Sequence, residues 1–331
     1  MDKTVCILMA TYNGSLYITE QIDSLLKQEY TNWKLFVRDD GSIDNTPQII
    51  KTYCEKDSRI ILLPNGRRQN LGSCRNFSAL LEEVKGEFEY YMFCDQDDLW
   101  LPRKVGNALD VILSKEKALG TKVPILVYTD FIYADKNLKI LDKKVNVGPL
   151  FQNDPLQLFK GLFLQNPVYG CTTLFNRALF NKIINIPESF KFHDYWTAFA
   201  AAATGYAFHI PDAQILYRQH PKNVTSVYAA SMISARIRRG MDWRGLYGDL
   251  QNKAEQIRII RERFSSELSD EKKALADEFL KLAPRGGFKL MKFLIKNRIF
   301  PRSASNSVLT LLLLFAGLKS DQPVQNKSEP I

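Results

Sequence analysis

Three carboxylates stand within four positions of one another directly after an apolar run. The run, Tyr91–Cys94, ends in Asp95, Asp97 and Asp98, and no basic residue lies close by in the sequence. Packed together without water, these groups would repel one another, so they either face solvent or hold a cation. Mg²⁺ and Mn²⁺ prefer oxygen ligands and combine carboxylates with substrate phosphates. An acidic turn is the plainer interpretation, but a position at the carboxyl end of a buried strand favours a ligand site.

The first third of the chain repeats this arrangement of a short apolar run followed by polar residues. Val5–Met9 and Trp33–Val37 are such runs, and Arg59–Leu63 is a third. Between them apolar residues recur at helical spacing, and a further helix is predicted to begin near Arg75. Strands that alternate with helices predict an α/β fold with a parallel, doubly wound sheet. In such a sheet the polar strand ends meet at one edge.

Four sequence motifs occur in the order and spacing of a known enzyme family. They read ATYNG after the first strand, RDDGSIDNT after the second, QNLGSCRNF before a helix and FCDQDDLWLPRKV after the fourth strand. HDYW at residues 193–196 and YRQH at residues 217–220 extend the pattern. Over residues 3–225 the chain therefore resembles family 2 glycosyltransferases of the GT-A fold. The motifs are most similar to those of bacterial rhamnosyltransferases that build cell-surface polysaccharides.

The resemblance implies a division of the chain and a reaction. A mostly parallel central sheet flanked by helices would contain a nucleotide-sugar-binding half over residues 1–110 and an acceptor-binding half over residues 111–230. Residues 231–331 would add a helical C-terminal extension. The reaction is transfer of a sugar from a nucleoside diphosphate to a hydroxyl, with inversion at the anomeric carbon and with Mg²⁺ or Mn²⁺ as cofactor.

The resemblance assigns the nucleoside end of the donor to residues after the first two strands. Thr11, Tyr12 and Asn13 would line the nucleoside pocket, and Asp39 would accept a hydrogen bond from the pyrimidine. Asp40 could bind the donor as well, or it could bind backbone amides of the turn that follows it.

The diphosphate is expected at the loop that leads into the third helix. Asn70 and Arg75 lie there, where free amides and the helix dipole favour anions. Arg75 could equally be a solvated helix residue. Gln96 and Arg218 are also expected to contact the donor.

The resemblance divides the acidic segment between two tasks. Asp95 would contact the ribose or the metal ion, Asp97 would coordinate the ion directly, and Asp98 would cap the following turn. His220 is expected to contact the metal or the diphosphate, because a neutral imidazole can be a ligand. The cation would stabilise the negative charge that develops on the departing diphosphate.

On the acceptor side, the resemblance makes Asp194 the base that removes the proton of the attacking hydroxyl. Asp194 could also be a helix N-cap, and the two roles are compatible. His193 replaces an acid found in many relatives, so it could assist proton transfer, bind the acceptor or only pack. Trp100, Tyr169 and Trp196 are candidate aromatic walls for the acceptor, although aromatic residues are more often core.

Composition excludes several classes of protein. The 331 residues are 45% hydrophobic, which excludes general disorder. The five cysteines show no paired spacing and are expected to be buried thiols in a reducing compartment. No signal peptide is recognised at the start, so the cytoplasm is the expected location.

The positive charge is concentrated in the C-terminal part. Residues 1–230 carry 26 basic and 25 acidic side chains, whereas residues 231–331 carry 19 and 11. Between Arg285 and Arg302 there are six basic residues and no acidic one. The segment Val308–Leu318 is almost purely apolar but shorter than the roughly 20 residues of a membrane-spanning helix.

This distribution predicts a helix that lies on an anionic membrane surface. On a helical projection Lys289, Lys292 and Lys296 share one face, and Met291, Leu294 and Ile295 share another. A dimerisation element is an alternative, and the two roles are compatible. Nucleic-acid binding is disfavoured, because no nucleic-acid motif accompanies the basic residues.

Taken together, the sequence predicts an inverting, metal-dependent glycosyltransferase at the cytoplasmic face of the cell membrane. It would transfer L-rhamnose from dTDP-rhamnose to a lipid-linked glycan. A UDP-glucose or UDP-galactose transferase is the alternative within the same chemistry. A nucleotide-sugar hydrolase and a non-catalytic, membrane-associated binding module are the alternatives of other classes.

Overall fold

A single eight-stranded sheet forms the centre of the protein. The computed structural model describes residues 3–64, 70–84, 87–142, 154–221, 223 and 243–299. The strands are β1 (Val5–Thr11), β2 (Trp33–Asp39), β3 (Ile60–Leu62), β4 (Tyr90–Cys94), β5 (Leu99–Trp100), β6 (Ile125–Ala134), β7 (Thr173–Asn176) and β8 (Tyr206–Arg218). Their order across the sheet is β3-β2-β1-β4-β7-β6-β8-β5.

Six of these strands run in one direction. β1 is parallel to β2 and β4, and β2 is parallel to β3. β7 is antiparallel to both of its neighbours, which makes β6 and β8 parallel to β4, and β5 is antiparallel to β8. The prediction of a mostly parallel α/β sheet is therefore confirmed.

Helices cover both faces of the sheet, which explains the continuous apolar runs in its central strands. Within the described residues the helices are α1 (Ile18–Leu26), α2 (Thr46–Lys56), α3 (Ser73–Glu83), α4 (Lys104–Leu119), α5 (Pro155–Gly161), α6 (Arg177–Ile183), α7 (His193–Thr204), α8 (Trp243–Arg263), α9 (Asp270–Leu282) and α10 (Gly287–Lys296). One buried cluster lies between the sheet and α1, α2 and α4, and a second lies between the sheet and α3, α5, α6 and α7.

The predicted boundary at residue 110 falls inside α4. The same sheet continues on both sides of it, since β4 pairs with β7 and β5 pairs with β8. The division into a donor half and an acceptor half stays a prediction about function.

The C-terminal helices join the second cluster and form the expected helical extension. The buried residues include Ile257 of α8, Phe264 directly after it, Phe279 of α9 and Phe293 of α10, together with residues of α7. Trp196 of α7 stacks on Phe264, with ring centroids 5.7 Å apart. The extension therefore supports the helix that begins at His193.

The predicted apolar face of the basic helix is partly wrong. Leu294 is buried in the core, because the face of α10 that carries it packs against the rest of the protein. Ile295 is exposed instead, on the same side as Lys292 and Lys296. Residues 231–242 and the segment Val308–Leu318 lie outside the described residues.

No helix in the described part of the chain combines the length and the apolar character needed to cross a membrane. All five cysteines are free thiols. Cys6, Cys94 and Cys171 are buried as predicted, whereas Cys54 and Cys74 are only half-buried.

Candidate active site

The carboxyl ends of β1, β2 and β4 meet at one edge of the sheet. Thr11 at the end of β1 lies opposite Asp39 at the end of β2, and Asp95 follows the last residue of β4. β2 pairs with one side of β1, and β4 pairs with the other side. The order of the strands therefore reverses at β1, and a crevice opens between the ends of β1 and β4. Open α/β sheets bind ligands at such a switch point.

Asp39 organises the turn that follows β2. Its Oδ1 accepts hydrogen bonds from Thr11 Oγ1 at 3.0 Å and Ser42 Oγ at 2.6 Å. Its Oδ2 accepts from the amides of Gly41 at 3.2 Å and Ser42 at 2.8 Å. The interpretation that gave these amides to Asp40 is therefore wrong.

Asp40 instead connects β2 to the start of α3. Its Oδ1 lies 3.1 Å from Arg38 Nη1, and its Oδ2 accepts from the Gly72 amide at 2.8 Å. Arg38 also donates to Asn76 Oδ1 at 2.7 Å. Because Asp40 is buried and bound to two segments, the structure supports a structural role for it.

The two residues predicted to bind phosphate near α3 bind protein groups. Asn70 Oδ1 accepts from the Gly72 amide at 2.9 Å. Arg75 donates to the Ile186 carbonyl at 3.2 Å and pairs with Glu188 at 3.1 Å. These contacts hold the guanidinium beside the loop after α6, and the Arg75 side chain stays 40% exposed, so the structure favours the alternative of a solvated helix residue over a phosphate ligand.

A cavity of about 360 Å³ opens beside the loop before α1. Its walls include Tyr12, Asn13, Tyr17, Gln96, Asp97 and His220. The predicted nucleoside residues Tyr12 and Asn13 thus share one cavity with Asp97 and His220, two of the three predicted metal ligands.

Gln96 joins the ends of β1 and β4 across this cavity. Its Oε1 accepts from the Tyr12 amide at 2.9 Å, and its Nε2 donates to the Tyr12 carbonyl at 3.0 Å. Gly14 leaves the space that this side chain needs, since a Cβ atom there would lie 2.2 Å from Gln96 Oε1.

Asp97 and His220 form a pair with the geometry of two metal ligands. Asp97 Oδ2 lies 2.9 Å from His220 Nε2, and both residues line the cavity. Two ligands at right angles, each about 2.1 Å from one ion, would be about 3.0 Å apart. A carboxyl group and an imidazole therefore stand where a divalent cation could replace their hydrogen bond with little movement, and the carboxylate oxygen is a ligand that suits Mn²⁺ or Mg²⁺.

A second group of candidate ligands is less suited to a cation. Asp95, Asp98 and Cys171 bring ligand atoms within 4.8 Å of one another. Burial raises the pKa of the Cys171 thiol well above its usual value, and a protonated thiol is a poor ligand. The ammonium group of Lys104 is buried beside Trp100, 4.3 Å from the ring centroid, and its charge acts on both Cys171 and Asp98. This buried cation already offsets the negative charge of the group.

Asp98 does not cap the following turn. Its Oδ1 accepts from the backbone amide of Arg218 at 3.1 Å, so it joins the acidic segment to the end of β8. We call residues Asp95–Asp98 the acidic loop.

Asp95 lies within electrostatic reach of both halves of the site. Burial raises its pKa to about 7, and the negative charges of Asp97 and Asp194 add to this shift. The acidic loop and the start of α7 therefore face one region.

Asp194 is held by two donors from the segment before β7. Asn166 Nδ2 donates to its Oδ1 and the Gly170 amide to its Oδ2, each at 3.1 Å. Burial raises the pKa of Asp194 to about 6, although these hydrogen bonds oppose the shift. A carboxyl group with this pKa is ionised near neutral pH and can accept a proton.

His193 packs behind Asp194 rather than facing solvent. Its ring stacks on Phe77 with centroids 3.8 Å apart and meets Phe93 edge-on. Burial lowers the pKa of His193 to about 3, so the ring stays neutral. Its Nε2 faces Gly170, where a Cβ atom would approach to 2.5 Å. Among the roles left open, packing fits the structure, and a direct contact with acceptor does not.

Two of the three predicted aromatic walls are core residues. Trp100 and Trp196 are both fully buried, and Trp196 Nε1 donates to the Ile183 carbonyl at 3.0 Å. Their predicted acceptor contacts are wrong because neither ring has an accessible face. Tyr169 is half-buried, adjoins Gly170 and contacts Phe131 edge-on, so it remains near the base.

Arg218 was expected to contact the donor, but its side chain turns inward. Its Nε donates to the Asp97 carbonyl at 2.7 Å, and its Nη2 pairs with Glu20. The predicted donor contact is wrong because these protein groups hold the guanidinium behind the acidic loop.

Several residues of the site carried little signal in the sequence. Tyr17 and Glu20 belong to an ordinary amphipathic pattern, and Asn166 lies in a segment without a motif. Gly170 could have been noticed as a glycine next to Cys171 in an apolar stretch. Their roles depend on contacts with residues that are far away in the chain.

Comparison with known proteins identifies the family. The model of the family described as "Glycosyl transferase family 2" matches residues 6–184. The chain belongs to glycosyl transferase family 2. This assignment confirms the resemblance drawn from the four motifs, and it makes the protein a glycosyltransferase.

Two curated relatives in this family are named for different sugar donors. The dTDP-rhamnosyl transferase RfbG of Shigella flexneri is 30% identical over 225 residues, which cover 65% of this chain and 72% of the relative. The UDP-Glc:alpha-D-GlcNAc-diphosphoundecaprenol beta-1,3-glucosyltransferase WfgD of Escherichia coli is 32% identical over 192 residues, which cover 58% of this chain and 65% of the relative.

A solved structure supports the GT-A fold. The mannosyltransferase PcManGT from Pyrobaculum calidifontis, in complex with GDP-Man and Mn²⁺, aligns with a TM-score of 0.53 and 19% identity. The alignment covers 96% of this chain and 86% of that chain.

Proposed function

We propose that this family 2 glycosyltransferase transfers a sugar from a nucleoside diphosphate to a glycan hydroxyl with inversion at the anomeric carbon. The observation that carries the proposal is the arrangement around Asp95, whose pKa responds to the charges of both Asp97 and Asp194. One side of the site offers a cavity with a pair of metal ligands. The other side offers a carboxylate held ready as a base.

Asp194 is proposed to accept the proton of the attacking hydroxyl. As the oxygen forms its bond to the anomeric carbon, the bond from that carbon to the diphosphate breaks on the opposite face. Asn166 and the Gly170 amide keep the carboxylate oriented, and the neutral ring of His193 fills the space behind it. The proton is thus received by a group that does not contact the leaving diphosphate.

Asp97 and His220 are proposed to hold Mg²⁺ or Mn²⁺. Asp95, whose pKa responds to the charge of Asp97, is proposed to contact the same ion. When bound, the cation supplies positive charge that stabilises the departing diphosphate. Tyr12 and Asn13 line the same cavity and are proposed to bind the nucleoside, while the hydrogen bond between Thr11 and Asp39 connects the loops after β1 and β2. The Mn²⁺ bound by the mannosyltransferase with the same fold supports this choice of cofactor.

We propose dTDP-rhamnose as the donor. The rhamnosyl transferase relative, at 30% identity, and the residues of the sequence motifs support this choice. The glucosyltransferase relative, at 32% identity, favours UDP-glucose as the alternative. Its name also supports a glycan on a polyprenyl diphosphate as the acceptor class.

We further propose that the protein works at the cytoplasmic face of the membrane, where α10 meets anionic lipid. Lys289, Lys292 and Lys296 are exposed on this helix, and Phe288 and Ile295 beside them are 54% and 47% exposed. Basic and apolar side chains on one exposed surface favour an interfacial site. Association with a second copy through the C-terminal region stays a prediction.

A product assay tests the function and the donor together. With Mn²⁺ and the probe acceptor GlcNAc-diphosphoundecaprenol, dTDP-rhamnose is expected to give a rhamnose-extended lipid that mass spectrometry detects. Extension from UDP-glucose alone would replace the proposed donor with the alternative. Free sugar without extended lipid would favour a hydrolase. Nucleotide binding without either product, for every donor and acceptor supplied, would favour a binding module.

Asp194→Asn is expected to lower kcat by about 10²–10⁴-fold, because the amide cannot accept a proton. In the wild type the base is protonated below its pKa of about 6, so kcat should fall as the pH drops through that value. Steady-state kinetics between acidic and neutral pH measure both effects. Asp110→Asn, at an exposed position of α4, is the matched control. Full turnover by Asp194→Asn would remove this residue from the mechanism.

Flotation with liposomes tests the membrane surface. The variant with Lys289, Lys292 and Lys296 changed to Glu should no longer float with phosphatidylglycerol vesicles, because its surface charge is reversed. A control with the exposed residues Lys51, Lys117 and Lys122 changed to Glu alters the net charge equally and should float like the wild type. Equal flotation of all three proteins would eliminate α10 as the contact.

A further inference from the structure

Arg218 lies at the centre of a buried network behind the acidic loop. Its side chain is only 1% exposed, whereas Glu20, its ion-pair partner, is 52% exposed. Nε donates to the Asp97 carbonyl at 2.7 Å, and Nη1 donates to the Lys136 carbonyl at 2.6 Å. Each of the three guanidinium nitrogens therefore has a protein acceptor. This one side chain connects α1, the acidic loop and the turn after β6.

Tyr17 extends the network to the second proposed metal ligand. The Arg218 guanidinium lies 4.6 Å from the centroid of the Tyr17 ring, a cation–π distance. The same ring stacks with His220, with centroids 4.8 Å apart and planes 29° apart. Tyr17 therefore restrains the imidazole that pairs with Asp97.

Both proposed ligands of the cation are thus positioned by the same group of residues. Arg218 fixes the backbone of Asp97, and Tyr17 restrains the ring of His220. The Arg218 amide also binds Asp98 Oδ1 at 3.1 Å, which holds the next residue of the acidic loop.

Charge adds a second reason for this arrangement. A buried guanidinium close to a cation site would repel the ion unless a carboxylate offset its charge. Glu20 supplies that carboxylate from α1 through its ion pair with Arg218 Nη2. Removing the Glu20 charge would therefore both loosen the guanidinium and leave its positive charge uncompensated.

We propose that Arg218 is a positioning residue which, together with Tyr17 and Glu20, sets the affinity of the protein for its divalent cation. It acts through Asp97 and His220 and does not touch the donor. The inference rests on the proposed function, since it assumes that these two residues hold the ion. Partners that orient metal ligands commonly change metal affinity by about 10–100-fold when they are replaced.

Binding of Mn²⁺ alone, followed by electron paramagnetic resonance of the free ion, tests this proposal without an activity assay. Glu20→Gln and Arg218→Lys are expected to raise the Kd for Mn²⁺ about tenfold or more. Lysine keeps the charge, but its three N–H donors share one nitrogen and cannot reach the three acceptors that the planar guanidinium spans, so it should not rescue binding. Glu20 is half exposed, which makes Glu20→Gln the variant expected to fold normally, and thermal unfolding checks both proteins.

Glu29→Gln is the matched control. Glu29 lies just beyond α1 and pairs with Arg103 at 3.7 Å, with both side chains largely exposed. Such a surface pair contributes little, so its Kd for Mn²⁺ should change by less than about twofold.

Calorimetry with dTDP and with UDP, in the absence of divalent cation, separates positioning from direct contact. The Arg218→Lys protein should bind these nucleotides like the wild type. A loss of metal-free nucleotide affinity would place the guanidinium on the diphosphate and overturn the inference.

The outcomes also separate the inference from the proposed function. If the wild type binds Mn²⁺ and folded Glu20→Gln binds it with the same Kd, the positioning role is overturned and the proposed function is unaffected. No binding of Mn²⁺ by the wild type would overturn the metal dependence in the proposed function as well.

Discussion

Crowding of negative charge at one sheet edge governs how this site is built. Asp95, Asp97 and Asp98 follow β4, and Asp194 begins α7, where its charge reaches Asp95. Carboxylates that are partly buried together repel one another unless cations or hydrogen-bond donors offset them. Behind the acidic loop, the Arg218 amide donates to Asp98 and the charge of Lys104 acts on the same carboxylate, whereas the cavity side stays open. A cation and a diphosphate, bound together, fit that remaining side.

The rest of the fold holds these mutually repelling carboxylates in place. The acidic loop is connected to β1 through Gln96 and to β8 through Asp98, so it is fixed at both ends. On the other side, α7 is anchored by Trp196, which donates to the Ile183 carbonyl and stacks on Phe264, the residue directly after α8. The C-terminal region therefore supports the helix that carries Asp194. In the proposed function, the same helical region brings α10 to the membrane that carries the acceptor.

Sequence patterns were sufficient to predict the sheet and the general position of the site. The apolar runs before Thr11, Asp39 and Asp95 are visible in the sequence, and strand ends must meet at one edge. The directions of side chains were not predictable. Arg218 contacts a carbonyl 121 residues away, and nothing near it in the sequence shows that its charge is used inside the protein. For the same reason the sequence could not show whether Trp196 is a core residue or an acceptor wall, and its stacking on Phe264 decides for the core.

The position of the cation is the most direct test of this account. Crystals grown with Mn²⁺ and a nucleoside diphosphate should show an anomalous scattering peak about 2.2 Å from Asp97 Oδ2 and His220 Nε2, with Asp194 outside the coordination sphere. A peak among Asp95, Asp98 and Cys171, or one coordinated by Asp194, would contradict it.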